Sequence, residues 1–200
     1  LYTYSNGEFR FLGEYLWSST ESEMERLKVG WQSNSSTMVW FGRFHATSKY
    51  WTSEYHHGQF MQTAITRPSV EEWEDESGPM PSHLTGLSFE QERNLRDERV
   101  LNWAFSAGLA PVFSVDQLHA FDVLDPRSGH DLGVNARFVF RPKVLQDDRV
   151  GVLLGWSNIN VVSDSNPNLA TLDQIKQTTV AFFGDWRWDA WRIIANVTFF

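Results

Sequence analysis

Odd and even positions along most of this chain carry different chemistry. Between residues 7 and 18, Phe9, Phe11, Gly13, Tyr15 and Trp17 fall on one side of a two-residue repeat. Arg10, Glu14 and Ser18 fall on the other, with Leu12 and Leu16 between them. The beat returns at 132–141, where Leu132, Val134, Ala136, Phe138 and Phe140 alternate with Asn135, Arg137 and Arg141. Successive side chains of a β-strand point to opposite faces, so a period of two predicts strands. About ten are expected, over residues 7–18, 26–32, 37–45, 58–66, 83–93, 99–110, 131–142, 149–161, 175–186 and 191–200. Pro68 ends the fourth, since proline cannot donate to the ladder. A long acidic loop, 69–82, follows with Glu71, Glu72, Glu74, Asp75 and Glu76. Residues 89–103 can also be drawn as a charged helix. Ser106, Ala107, Gly108 and Pro111 are poor helix continuations and favour a hairpin.

The apolar face is aromatic, and the opposite face carries charge even in mid-strand. A soluble barrel hides its apolar face inside, whereas a barrel in a membrane turns it outward and keeps the polar face for its lumen. Composition favours the second arrangement. Ten tryptophans and fifteen phenylalanines coexist with a mean hydropathy of -0.38, as expected where aromatic girdles sit at both interfaces and every second residue is polar. The longest uncharged stretch, 101–115, is shorter than the roughly 20 apolar residues of a spanning helix. The expected fold is therefore all-β, an antiparallel up-and-down transmembrane β-barrel in one domain over 1–200. The chain begins at Leu1 with no leader pattern, so any signal peptide is expected to have been removed.

Charge and missing motifs narrow the chemistry. A net charge of -8 and a pI of about 5.2 argue against a sequence-independent grip on nucleic acid. The chain has no cysteine, which excludes disulfides and thiolate metal sites. It has no Gly-x-Ser-x-Gly elbow and no phosphate-binding glycine loop, so no catalytic residue is assigned. Charged residues inside strands are candidates for a pore lining or constriction: Arg10, Glu14, Arg43, His45, Arg137, Arg141 and Asp185. Facing lipid near the midplane, an arginine costs about 2–4 kcal/mol, which drives it to the lumen. The densest polar cluster lies between Gly42 and Gly86. There His56, His57, His83, Glu74 and Asp75 form a candidate set for a divalent cation such as zinc, although no local spacing matches a metal signature. No other cofactor is expected. Tryptophans near strand ends, Trp17, Trp31, Trp103, Trp156, Trp186 and Trp191, are candidates for an interfacial belt.

In alternation, aromatic strand ends, acidic composition and lack of cysteine, the chain resembles Gram-negative outer-membrane β-barrels of the porin-like kind. Gly42-Arg43-Phe44-His45 through His56-His57-Gly58, and Thr66-Arg67-Pro68 to Pro81-Ser82-His83, are similar to a group of uncharacterised porin-like proteins. The resemblance implies an outer-membrane location, contact with outer-membrane lipid and passive passage of small solutes. Thr198 and Asn196, on the face of Phe200, are polar where the outer-membrane barrels that the chain resembles carry apolar residues, so the expectation is either an incomplete last strand or a piece of a larger barrel. Two other readings stay open: an outer-membrane lipid-modifying enzyme or metal or ligand receptor, and a soluble lipocalin-like binder with its rings around an apolar ligand.

Overall fold

The computed structural model describes residues 1–17, 22–51, 78–114, 117–123, 128–143, 148–162 and 174–199. These form twelve strands: β1 (Tyr2–Asn6), β2 (Phe9–Trp17), β3 (Ser22–Asn34), β4 (Thr37–His45), β5 (His83–Asn94), β6 (Val100–Leu109), β7 (Val112–Ser114), β8 (Gln117–His119), β9 (Leu132–Lys143), β10 (Asp148–Val162), β11 (Gln174–Trp188) and β12 (Trp191–Phe199). The main sheet runs β1-β2-β3-β4-β5-β6-β9-β10-β11-β12, with every neighbour antiparallel. Strands β7 and β8 form a small hairpin, and β7 pairs in parallel with the end of β10. Among the described residues β1 and β12 do not pair, so the sheet is up-and-down but open rather than a closed barrel.

Nine of the ten expected strands recur, with three additions. β1 was not anticipated, because the alternation starts clearly only at Phe9. Gly7 takes a φ of 57°, a left-handed value that costs glycine little, and turns the chain between β1 and β2. The short β7 and β8 lie where no strand was expected. Residues 89–103 are a hairpin, β5 into β6, and not a helix. The strand expected at 58–66 and the acidic part of the loop at 69–77 lie outside the described residues.

The two ends of the sheet differ. At one end the turns are short: Gly7-Glu8, Ser35-Ser36, residues 95–99 and Asp189-Ala190. At the other end the intervals of sequence between neighbouring strands of the sheet are long, 46–82 and 110–131 above all.

The two faces also differ, and the register makes this continuous. Tyr4, Phe11, Val29, Phe41, Leu87, Ala107, Val134, Trp156 and Thr178 are aligned in one cross-strand row. This face looks outward: Phe41 is 66% exposed, Phe105 44%, Phe182 50% and Val197 53%. The inward face carries the row Ser88, Ser106, Asn135, Gly155 and Thr179, of which the serines, asparagine and threonine are buried. An aromatic stripe turned out and a polar stripe turned in is the reverse of a soluble β-barrel.

Part of the hollow is filled by the chain itself. After β4, residues 46–51 fold onto the inward face. The Tyr50 ring lies 4.6 Å from that of Phe183, and Tyr50 and Trp51 complete a dry cluster with Val139, Leu153, Ala181 and Phe183. Lys49 is fully buried and donates from Nζ to Ser82 Oγ at 2.9 Å. The returning segment is held by Gln177 Nε2, which donates to Pro79 O at 2.7 Å. This filling reaches from the long-loop end, at Ser82 and Pro79, to the middle of the sheet at Leu153 and Ala181.

One inward row carries four successive glycines between Lys28 and Ser157: Gly42, Gly86, Gly108 and Gly133 lie in register across β4, β5, β6 and β9. A Cβ on Gly86 would stand 2.2 Å from Ala107 O, and one on Gly108 would stand 2.4 Å from Thr85 O. Neighbouring backbones therefore approach closely here, as interior strand glycines commonly permit.

Candidate functional site

Below the filled zone, toward the short-turn end, the sheet encloses a cavity of about 760 Å³. Its wall draws on every strand of the main path from β3 to β12, from Gln32 round to Arg192. The sheet is thus curled into a deep trough, polar side inward. Alternation explains the lining: Arg137 and Arg141 are two positions from Val139 on β9, so all three face the hollow. Arg149 on β10, Arg187 on β11 and Arg192 on β12 join them, while Glu90 and Glu92 line the wall on β5. Basic groups thus gather on the β9–β12 side and carboxylates on β5. Thr47 borders the same cavity from the inserted segment.

Asp185 is the fixed point of the arginine side. Arg192 donates to it from Nε at 2.9 Å and from a terminal nitrogen at 2.7 Å, a two-pronged geometry. Arg149, its cross-strand partner, donates at 3.2 Å. The carboxylate is buried and the two guanidiniums partly so. Planar guanidinium against carboxylate gives directional, charge-assisted bonds, so Asp185 orients two of the cationic groups. Across the trough, Asn102 Nδ2 donates to Glu92 Oε2 at 2.9 Å.

The expected lining residues divide. Arg137, Arg141 and Asp185 come together in the cavity. Glu14 is buried near the β1 edge and accepts from Arg26 Nε at 2.5 Å. Arg10 donates to Gln32 Oε1 at 2.7 Å at the short-turn end. Neither borders the cavity. Arg43, only 2% exposed, is a tie: it donates to Glu25 O at 3.2 Å and Phe121 O at 3.0 Å, and its charge lies 3.9 Å from Asp122. It fastens the chain after β8 to β3 and β4. His45 lies at the long-loop end beside His83. Of the residues expected to hold a metal, His56, His57, Glu74 and Asp75 lie outside the described residues, and His83 sits instead with Glu25 and His45.

The tryptophans separate by level. Trp31, Trp186 and Trp191 stand exposed near the short turns. Trp103, half-buried near the start of β6, borders the cavity at that same end. Trp17 is exposed at the opposite end of β2. Trp156 is mid-strand and half-buried, away from either rim.

Arg149, Arg192 and Glu92 were not anticipated. Arg149 and Arg192 sit beside turns, where charge ordinarily means solvent. Only the register, which sets Arg149 opposite Asp185, reveals that they point inward. Residues 46–51 lack alternation and gave no strand signal, and nothing local announces that they fold inside.

No known family model, curated protein or solved structure matches the chain. Its chemistry must be read from its own geometry.

Proposed function

We propose that the chain is a membrane-embedded channel of the porin-like kind, placed in a bacterial outer membrane and passing small polar solutes through the arginine-rich cavity. The observation that carries this reading is the orientation of the sheet. Phe41, Leu87, Phe105, Phe182 and Val197 are exposed on one continuous face, far more apolar surface than a protein in water normally leaves uncovered. Charged groups meanwhile line the interior. Acyl chains would cover the first face and water the second. The exposed tryptophans near the short turns suit the headgroup boundary. A soluble binder of an apolar ligand requires the opposite orientation, with rings in and arginines out.

Inside, Arg137, Arg141, Arg149, Arg187 and Arg192 stand against Glu90 and Glu92. Rings and rows of fixed charge select ions by sign. The filling around Tyr50 and Trp51 makes the path narrow. The purified chain is expected to need detergent, and to migrate differently on gels before and after heating. In planar bilayers it is expected to conduct in small steps. The double substitution Arg137→Glu and Arg141→Glu moves the reversal potential under a salt gradient toward cations, by several-fold in permeability ratio. A protein that stays in solution without detergent, or a bilayer that remains silent at high protein load, overturns the reading.

A further inference from the structure

We infer that Glu25, His45 and His83 form a binding site for a divalent transition-metal ion, with zinc the best-fitting occupant, at the long-loop end of the sheet. The ligand atoms of the three side chains all lie within 4.8 Å of one another. Glu25 Oε2 and His83 Nε2 are 3.3 Å apart. Two ligands bound at about 2.0–2.1 Å around a tetrahedral ion stand roughly 3.4 Å apart, so this pair is already at ligating separation. His45 and His83 are direct cross-strand partners on β4 and β5, with ring centroids 5.1 Å apart. A small rotation of the His45 ring brings its nitrogen into the same sphere.

Glu25 reaches this place through a local irregularity. In the β2–β3 ladder Glu14 pairs with Arg26 and Tyr15 with Met24, so Glu25 is the extra residue of a bulge. A bulge re-aims a side chain that regular pleating would send elsewhere. The donor set, two imidazole nitrogens and one carboxylate oxygen, suits zinc over magnesium or calcium, which prefer oxygen alone. Three protein ligands leave one position for water or a further group. The site is largely shielded, with His83 buried. Arg43, whose Nε donates to Glu25 O, is the nearby cation that opposes a metal, and Asp122 beside it offsets that charge.

The position gives the ion a task. His45 is the last residue before the chain leaves β4, and His83 is the first on its return in β5. Ala46 N already donates to Ser82 O at 2.7 Å between them. A metal bound here clamps the neck of the whole 46–82 excursion and ties it to β3. This holds whether or not the cavity conducts.

The test uses the full chain, stripped with a chelator and titrated with zinc alone by calorimetry, then with cobalt followed by visible absorption. Expected are one zinc per chain and a cobalt spectrum of a site with nitrogen ligands. Affinity is expected to fall roughly tenfold or more, the scale set by losing even outer-shell partners of a metal, in both His45→Gln and His83→Gln. It is expected to be unchanged in the double variant His56→Ala, His57→Ala. Circular dichroism identifies variants that fail to fold, and for those Glu25→Gln provides a second reading with the same expectation. No stoichiometric zinc binding by the native sequence overturns the proposal. So does binding that survives His45→Gln and His83→Gln together but vanishes in the His56, His57 variant.

Discussion

Phe105→Arg and Phe182→Arg each weaken folding into lipid vesicles by about 2–4 kcal/mol, the cost of an arginine facing lipid near the midplane. Both rings are exposed and lie in the middle of their strands, β6 and β11. The depth dependence supplies a control. Trp188→Arg, on a still more exposed residue beside the Asp189-Ala190 turn, costs only about 0–1 kcal/mol, as charge near the interface does. The measurement is the urea midpoint of vesicle-bound protein, followed by tryptophan fluorescence and protease protection. In a protein surrounded by water the same exposed substitutions change stability by no more than about 0.5 kcal/mol. If Phe105→Arg and Phe182→Arg both keep native midpoints, the outward face does not meet acyl chains.

Asp185→Ala destabilises the chain by about 3 kcal/mol, toward the lower end of the cost of breaking a buried ion pair. The low end applies because Arg149 and Arg192 retain some contact with solvent. Alanine leaves both guanidiniums facing each other across the vacated carboxylate position. Adding Arg192→Met to Asp185→Ala therefore recovers part of the loss, and the double-mutant cycle measures the coupling. Equilibrium denaturation in detergent or vesicles supplies the numbers. A loss below about 1 kcal/mol, typical of a surface ion pair, removes Asp185 from its role as the organiser of the cationic wall.

Alternation carried most of the fold because it is a local property. Strands such as β9, with Val134, Ala136 and Phe138 on one face and Asn135 and Arg137 on the other, declare themselves without their neighbours. Arg137, Arg141 and Asp185 were legible as lining residues for the same reason. What stayed hidden depends on distant pairing. Arg43 has the sequence context of a lumenal charge, yet Gly42, with its φ of 130°, interrupts the pleat just before it, and Phe121, far along the chain, receives its hydrogen bond. Glu25 falls just outside the strand expected at 26–32, and only the bulge in β3 turns it toward His83. Tyr50 and Trp51 follow no period at all, because a segment packed on the inside of a sheet has no repeating lattice to match. Whether a greasy face looks out or in was also beyond local pattern, since both barrels share one alternation.

The glycine row across Gly42, Gly86, Gly108 and Gly133 limits how this trough can diversify. Elsewhere the width of the trough changes when a lining side chain grows or shrinks. At Gly42, Gly86 and Gly108 main chain meets main chain, so even one added methyl there must push two strands apart. Girth there is fixed by the polypeptide itself. If the chain is the channel proposed above, tuning of its selectivity falls to the arginine level and to the inserted segment.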